Sequence, residues 1–231
     1  MFLEYGDLKD AYAGKRLFVC GNAPSVAEAY PLLEHEVTFC CNWFSLWKDA
    51  PFEPSIYGLT EPMNWGWDDR KRMAEGVALK LCLSMKPPPD EEDDWVWLPK
   101  AQPGKREDML QGSGLAHDAP FRTGANTPMN IGVQFGIYMG FTEIYLVGIE
   151  LPQGHKNRNA VYGDVLQEQG FYKDVSVKPV YNVPFLVEGY DRCLSDIQQM
   201  GRKLVNCTPT GLFRQNTKVP FVSLEEVLCP T

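Results

Sequence analysis

The sequence predicts an α/β fold: one mainly parallel sheet with helices on both faces, plus a lid-like insertion. Three observations lead there. Short apolar runs of strand length alternate with segments of helical spacing almost throughout the chain. Several of these runs stop on Gly or Asn and turn straight into a helix, as at Gly21-Asn22. Gly132, Gly136 and Gly140 recur every four residues in and just after the Met129–Met139 segment. A helix there has one bare face that can lie close on a sheet.

Taken in order, Arg16–Cys20 is an apolar run that stops at Gly21 and reads as a buried parallel strand. Pro24–Glu34 follows with Val26, Ala29, Tyr30 and Leu33 at helical spacing, and Pro31 is placed to break or kink it. Val37–Cys41 is the second strand, ending at Asn42, and Trp43–Trp47 reads as a short helix. Ser55–Leu59 and Leu79–Leu83 are the third and fourth strands. The Pro87–Pro89 run and the acidic residues after it form a loop, and Trp95–Leu98 is a short strand. Thr127 and Pro128 suit the N-cap and first position of the Met129–Met139 helix, which Gly140 ends. Glu143–Ile149 is a buried strand with Glu150 at its carboxyl end. Residues 151–184 are polar and weakly periodic, the composition of a lid. Glu188–Met200 is a helix with Cys193, Ile197 and Met200 on one face, and Lys203–Cys207 is the last strand. Ser223 and Glu226 form a capping box for the terminal helix to Leu228. Residues 1–231 are read as one nucleotide-binding domain, since a chain of this length fills a single core.

The formal charge of -8 and the pI near 5.0 repel nucleic acid and anionic membrane, so neither is an expected partner. No apolar run approaches the roughly 20 residues that span a bilayer, and the first residues lack the basic and apolar parts of a secretory signal. Seven Cys, an odd number with no C-x-x-C pair, read as reduced and mostly buried thiols. The cytoplasm is the expected location, no zinc site is expected, and an oligomer is compatible with the sequence.

In a parallel sheet, ligands bind outside the carboxyl ends of the strands, where the strand order reverses. The residues at those ends are Gly21, Asn22, Asn42, Glu61, Glu150 and Asn206. Gly21-Asn22-Ala23-Pro24-Ser25 follows a strand and opens a helix, a turn suited to phosphate. Its plain alternative is a strand-to-helix turn capped by Ser25. Thr123-Gly124-Ala125-Asn126-Thr127 is a second small-residue turn, and Arg122 before it can meet a phosphate or carboxylate bidentately. Glu150 is placed to bind a ribose hydroxyl, hold a metal or act as a base. Of His35, His117 and His155, only His155, in the lid segment, is a candidate general base. Trp65 and Trp67, like Trp95 and Trp97, are two apart and suit core or lid packing.

These residues occur in an order that resembles a known group. Val19-Cys-Gly-Asn-Ala-Pro-Ser25, Cys41-Asn42, Thr123-Gly124 and Gly140-Phe-Thr-Glu-Ile-Tyr-Leu-Val-Gly-Ile-Glu150 resemble the bacterial sialyltransferases that build lipooligosaccharide. They equally resemble the related group of flagellin motility-accessory proteins and archaeal-type 6-hydroxymethylpterin diphosphokinases. The ending Val205-Asn-Cys-Thr-Pro-Thr-Gly211, followed by Val219–Leu228, looks closer to that second group.

The first resemblance implies a Rossmann-like glycosyltransferase that takes a sugar from a CMP-type donor and passes it to a glycan acceptor, with no required cofactor. Asn22 and Asn42 would contact the donor nucleotide, and Thr123 and Gly124 its phosphate or sugar. Glu150 would stand where that family has an Asp on the ribose, and a His would be the base. This sequence departs from the pattern at Glu150, at Pro152 in place of a phosphate-binding Tyr, and in having no His after His155. The second resemblance implies Mg²⁺ and ATP, with Glu150 and Glu61 near the metal. An inactive nucleotide-binding or assembly protein is a third reading.

Overall fold

The computed structural model describes residues 4–41, 44, 47, 49–60, 74–84, 95–99, 128–151 and 183–229. Among them, β1 (Arg16–Cys20), β2 (Thr38–Cys41), β3 (Ile56–Thr60), β4 (Leu79–Ser84), β5 (Trp95–Pro99), β6 (Glu143–Val147) and β7 (Lys203–Asn206) form one sheet. Its order is β5-β4-β3-β2-β1-β6-β7, and every pairing is parallel. The helices are α1 (Val26–Ala29), α2 (Pro128–Tyr138), α3 (Val183–Gln199), α4 (Gly211–Asn216) and α5 (Leu224–Leu228).

Alternation along each strand feeds two cores, one on each face. Leu17 and Val19 of β1, Phe39 of β2 and Ile144 and Leu146 of β6 pack under α2 and α3. Phe18, Cys20, Cys40, Tyr145 and Val147 face the other way, against Val26, Tyr30, Leu33 and Leu224. The expected three-layer α/β architecture is therefore present, and it is Rossmann-like in the reversal of strand order at β1.

The bare face of α2 does what its glycines predict. A Cβ at Gly132 would come within 2.6 Å of Phe39 and 3.0 Å of Val19. One at Gly136 would come within 2.7 Å of Leu17. Neither position has room for a side chain, so the helix backbone rests directly on β1, β2 and β6.

Several boundaries differ from the sequence reading, for local reasons. The Pro24–Glu34 helix is two pieces, α1 and a 3-10 turn at Tyr30–Leu33, with Pro31 early in the second. α3 starts at Val183, earlier than Glu188, because Pro184 in a first helical turn loses no hydrogen bond. α4 falls where the sequence reading has no element. The terminal capping box is as expected: Glu226 N–H donates to Ser223 Oγ at 3.2 Å, and Ser223 N–H donates to Glu226 at 3.3 Å. Trp95 is a core residue, buried edge-on against Tyr57. The expected helix at Trp43–Trp47 and the expected lid fall mostly or wholly outside the described residues.

Candidate functional site

The chain builds β1 to β5 outward on one side and then returns to place β6 on the other side of β1. The strand order therefore reverses between β1 and β6, and the crevice at their carboxyl ends is the expected ligand position of such a sheet. Gly21 and Asn22 leave β1 there, and Gly148, Ile149 and Glu150 leave β6 beside them.

The two turns are locked together by backbone bonds. Gly21 N–H donates to Val147 O at 2.7 Å, and Ala23 N–H donates to Gly148 O at 3.2 Å. The approach is so close that a Cβ on Gly21 would stand 2.2 Å from the Gly148 oxygen. Gly148 itself has φ +66°, and a Cβ there would press on Val26 at 2.8 Å.

Glu150 completes the join. One of its carboxylate oxygens accepts the Ser25 N–H at 3.0 Å. The plain alternative to a phosphate turn has Ser25 as the cap of the following helix. In the structure its side chain makes no capping bond, and a carboxylate from across the crevice stabilises that helix start instead.

This changes what the Gly21–Ser25 turn has left to give. Val26 and Ala27 N–H groups bond to Ala23 and Pro24 carbonyls, and Pro24 has no N–H. With Gly21, Ala23 and Ser25 also engaged, Asn22 carries the one backbone N–H from Gly21 to Ala27 without a partner among the described residues. A phosphate seated on backbone donors would find the Asn22 N–H and would have to displace bonds already made to reach the others. What the turn does offer is side-chain polarity. Asn22 Oδ1 and Ser25 Oγ are shielded from solvent and have no hydrogen-bond partner among the described residues. Buried polar atoms of this kind call for an occupant, a ligand or a water.

β7 adds a residue at the same end of the sheet that was named as a strand end, Asn206, and one that was not singled out, Thr208. Both are fully buried. The signal for Thr208 was its place two residues beyond a strand-end Asn. Burial pushes the Cys207 thiol up to about 12 and raises Cys40 and Cys41 well above the ordinary value, which disfavours the nucleophilic thiolate at these three positions.

Asn42, Glu61, Arg122, Thr123, Gly124, His117 and His155 lie outside the described residues. His35 is exposed just before β2, at the opposite end of the sheet from the crevice. Among the described residues, no group of three His, Cys, Asp or Glu side chains is placed to hold a metal ion.

A groove of about 740 Å³ opens between α3 and α4, lined by Val187, Glu188, Asp191, Leu212, Asn216 and Lys218 among others. Asp191 ties its two walls by accepting from Thr217 Oγ1 and Lys218 N–H, each at 2.7 Å.

No family model matches the chain, and no curated protein matches it by sequence. Solved structures do. The monofunctional alpha-2,3-sialyltransferase Cst-I from Campylobacter jejuni is 11% identical, with a TM-score of 0.52 over 95% of this chain and 82% of that one. Sialyltransferase CstII from the same organism, in complex with the substrate analogue CMP-3FNeuAc, is 13% identical, with a TM-score of 0.52 over 89% and 86%. Sialyltransferase Cst-II in complex with a trisaccharide acceptor and CMP is 14% identical, with a TM-score of 0.53 over the same shares. The fold is sialyltransferase-like. At these identities the likeness concerns the path of the backbone. No described helix is long and apolar enough to cross a membrane.

Proposed function

We propose that the chain is a glycosyltransferase that takes a sugar from a CMP-type donor bound where β1 and β6 meet. The observation that carries this reading is the pair of solvent-shielded, unpartnered atoms Asn22 Oδ1 and Ser25 Oγ at the switch point of a sialyltransferase-like sheet. Acceptor atoms of this kind suit the hydroxyl and amino donors of a nucleoside. Glu150 has a second carboxylate oxygen for a ribose hydroxyl, while its first holds Ser25. With the backbone donors of the first turn engaged, the phosphate falls to the Arg122-Thr123-Gly124 segment. Asn42 contacts the nucleotide, Gly21, Ala23 and Pro24 shape the wall, and His155 is the candidate base for an inverting displacement that needs no metal. The α3–α4 groove, with Val187 and Leu212 flanked by polar side chains, is a surface of the kind a glycan acceptor uses. The buried free thiols suit the reducing cytoplasm.

A thermal-shift titration with CMP, UDP, GDP and ATP, each with and without Mg²⁺, tests the reading, since a ligand that binds only the folded chain raises its melting temperature. A metal-independent rise with CMP alone is expected. An Mg²⁺-dependent rise with ATP would move the assignment to the pterin diphosphokinase group. Binding without turnover of any CMP-sugar would leave a nucleotide-binding protein.

A further inference from the structure

Glu150 is held from several directions, and one hold runs through two polar residues buried beneath the crevice. Asn206 and Thr208 are each 0% exposed. Asn206 Oδ1 accepts the Thr208 N–H at 2.9 Å, and Thr208 Oγ1 accepts the Ile149 N–H at 3.0 Å. Ile149 directly precedes Glu150. On the other side, Phe213 N–H donates to the Glu150 carbonyl at 3.2 Å. Gly211, at φ +95°, comes so near that a Cβ would lie 2.3 Å from the same oxygen. The chain then leaves through Leu151 at φ +52°, a left-handed conformation that is strained for leucine.

We infer that Thr208 and Asn206 are positioning residues, which fix the Ile149–Glu150 backbone so that the Glu150 carboxylate stays on the Ser25 N–H and faces the donor. β6 ends at Val147, so the Ile149 N–H lies beyond the regular strand and takes its partner from the Thr208 hydroxyl. A valine at 208 would fill the same volume without burying a hydroxyl. Asn206 makes the same point more sharply. Its Nδ2 is buried with no partner among the described residues, a cost the fold accepts while Oδ1 holds Thr208. Removing the Thr208 hydroxyl orphans the Ile149 N–H, lets the Ile149–Leu151 backbone relax from its strained path, and releases the carboxylate from Ser25.

The role in donor binding rests on the proposed CMP site; the hold on Ser25 does not, and the two are measured separately. Thr208→Val is compared with Thr208→Ser and with Phe141→Leu, a core substitution at the amino end of β6. Amide exchange by NMR reads the Ser25 N–H, and calorimetry reads CMP affinity. In Thr208→Val, Ser25 exchange is expected to rise about tenfold and CMP affinity to fall by a similar factor. Serine should restore both, and Phe141→Leu should move neither beyond its effect on global stability. Unchanged Ser25 exchange in a folded Thr208→Val overturns the inference. If wild type binds no CMP, the proposed function fails while the exchange result still decides the positioning role. Should the valine variant not fold, Asn206→Ala is read by the same exchange measurement, with the same two outcomes.

Discussion

The two ends of the sheet are built on opposite rules. At the amino ends of the strands, charges meet partners. Arg16 Nε donates to Glu36 at 2.7 Å, its second guanidinium nitrogen also reaches Glu36, and its third donates to the Val227 carbonyl at 3.2 Å. Glu143 accepts from Lys203 at 3.2 Å and from the Tyr145 hydroxyl. At the carboxyl ends there are glycines pressed against carbonyls, a single carboxylate bridging two turns, and buried polar atoms without partners among the described residues. The first end is finished when the chain folds. The second holds the polar atoms on which the proposed donor site rests, so the two ends separate the substitutions expected to change stability from those expected to change binding.

Substitutions can break or sharpen the contrast. The largest effect is expected from Gly21→Ala, whose Cβ has a backbone oxygen in its way and no flexible neighbour to push aside. It should cost about 3 kcal/mol of stability in urea unfolding, and an unchanged midpoint would show that the β1 and β6 turns are not locked. Asn22→Ala should behave in the opposite way. Folding stability should change by less than about 0.5 kcal/mol, because Asn22 Oδ1 has no partner among the described residues, while CMP affinity by calorimetry falls by about 2 kcal/mol. A stability loss with intact affinity would move Asn22 out of the site. Arg16→Met, at the finished end, should lower stability by about 1 kcal/mol, the size expected of a partly solvated ion pair, and leave CMP binding alone.

The smallest effect concerns pH. The Tyr145 hydroxyl, with help from Lys203 and Arg16, holds the Glu143 carboxyl below its ordinary range. A carboxylate with a lowered folded pKa adds stability that is complete at neutral pH and is lost as pH falls through the folded value. The wild-type melting temperature should therefore fall more steeply than that of Glu143→Gln below about pH 4. Parallel curves would remove Glu143 from the stabilising set.

Much of the fold was legible because its cause is local. The β1, β2 and β6 runs are apolar enough to be buried on both faces, and the Gly132–Gly136 spacing announces close packing before any coordinate does. α4 was not legible. Gly211–Asn216 has no strong helical pattern, and its start depends on Gly211 fitting against Glu150, a residue far away in sequence. The same limit applies to the site. That Gly21-Asn22 and Glu150 sit at strand ends follows from where apolar runs stop. That Glu150 takes the Ser25 N–H depends on two loops meeting, which no spacing encodes. Asn206 was visible as a strand end, but its bond to Thr208 was not.

The position of β1 also sets when the crevice can come into being. β1 pairs with β2 soon after both are synthesised, but its other edge waits for β6, in the register Arg16 with Glu143 and Cys20 with Val147. Until that late pairing, β1 is an apolar strand with one open edge, the kind of surface on which chains associate wrongly. The turn at Gly21 cannot find the Val147 and Gly148 carbonyls before then. Nucleotide binding at the proposed site should therefore report on the β1–β6 closure, and a refolding experiment should recover it only after β6 has paired.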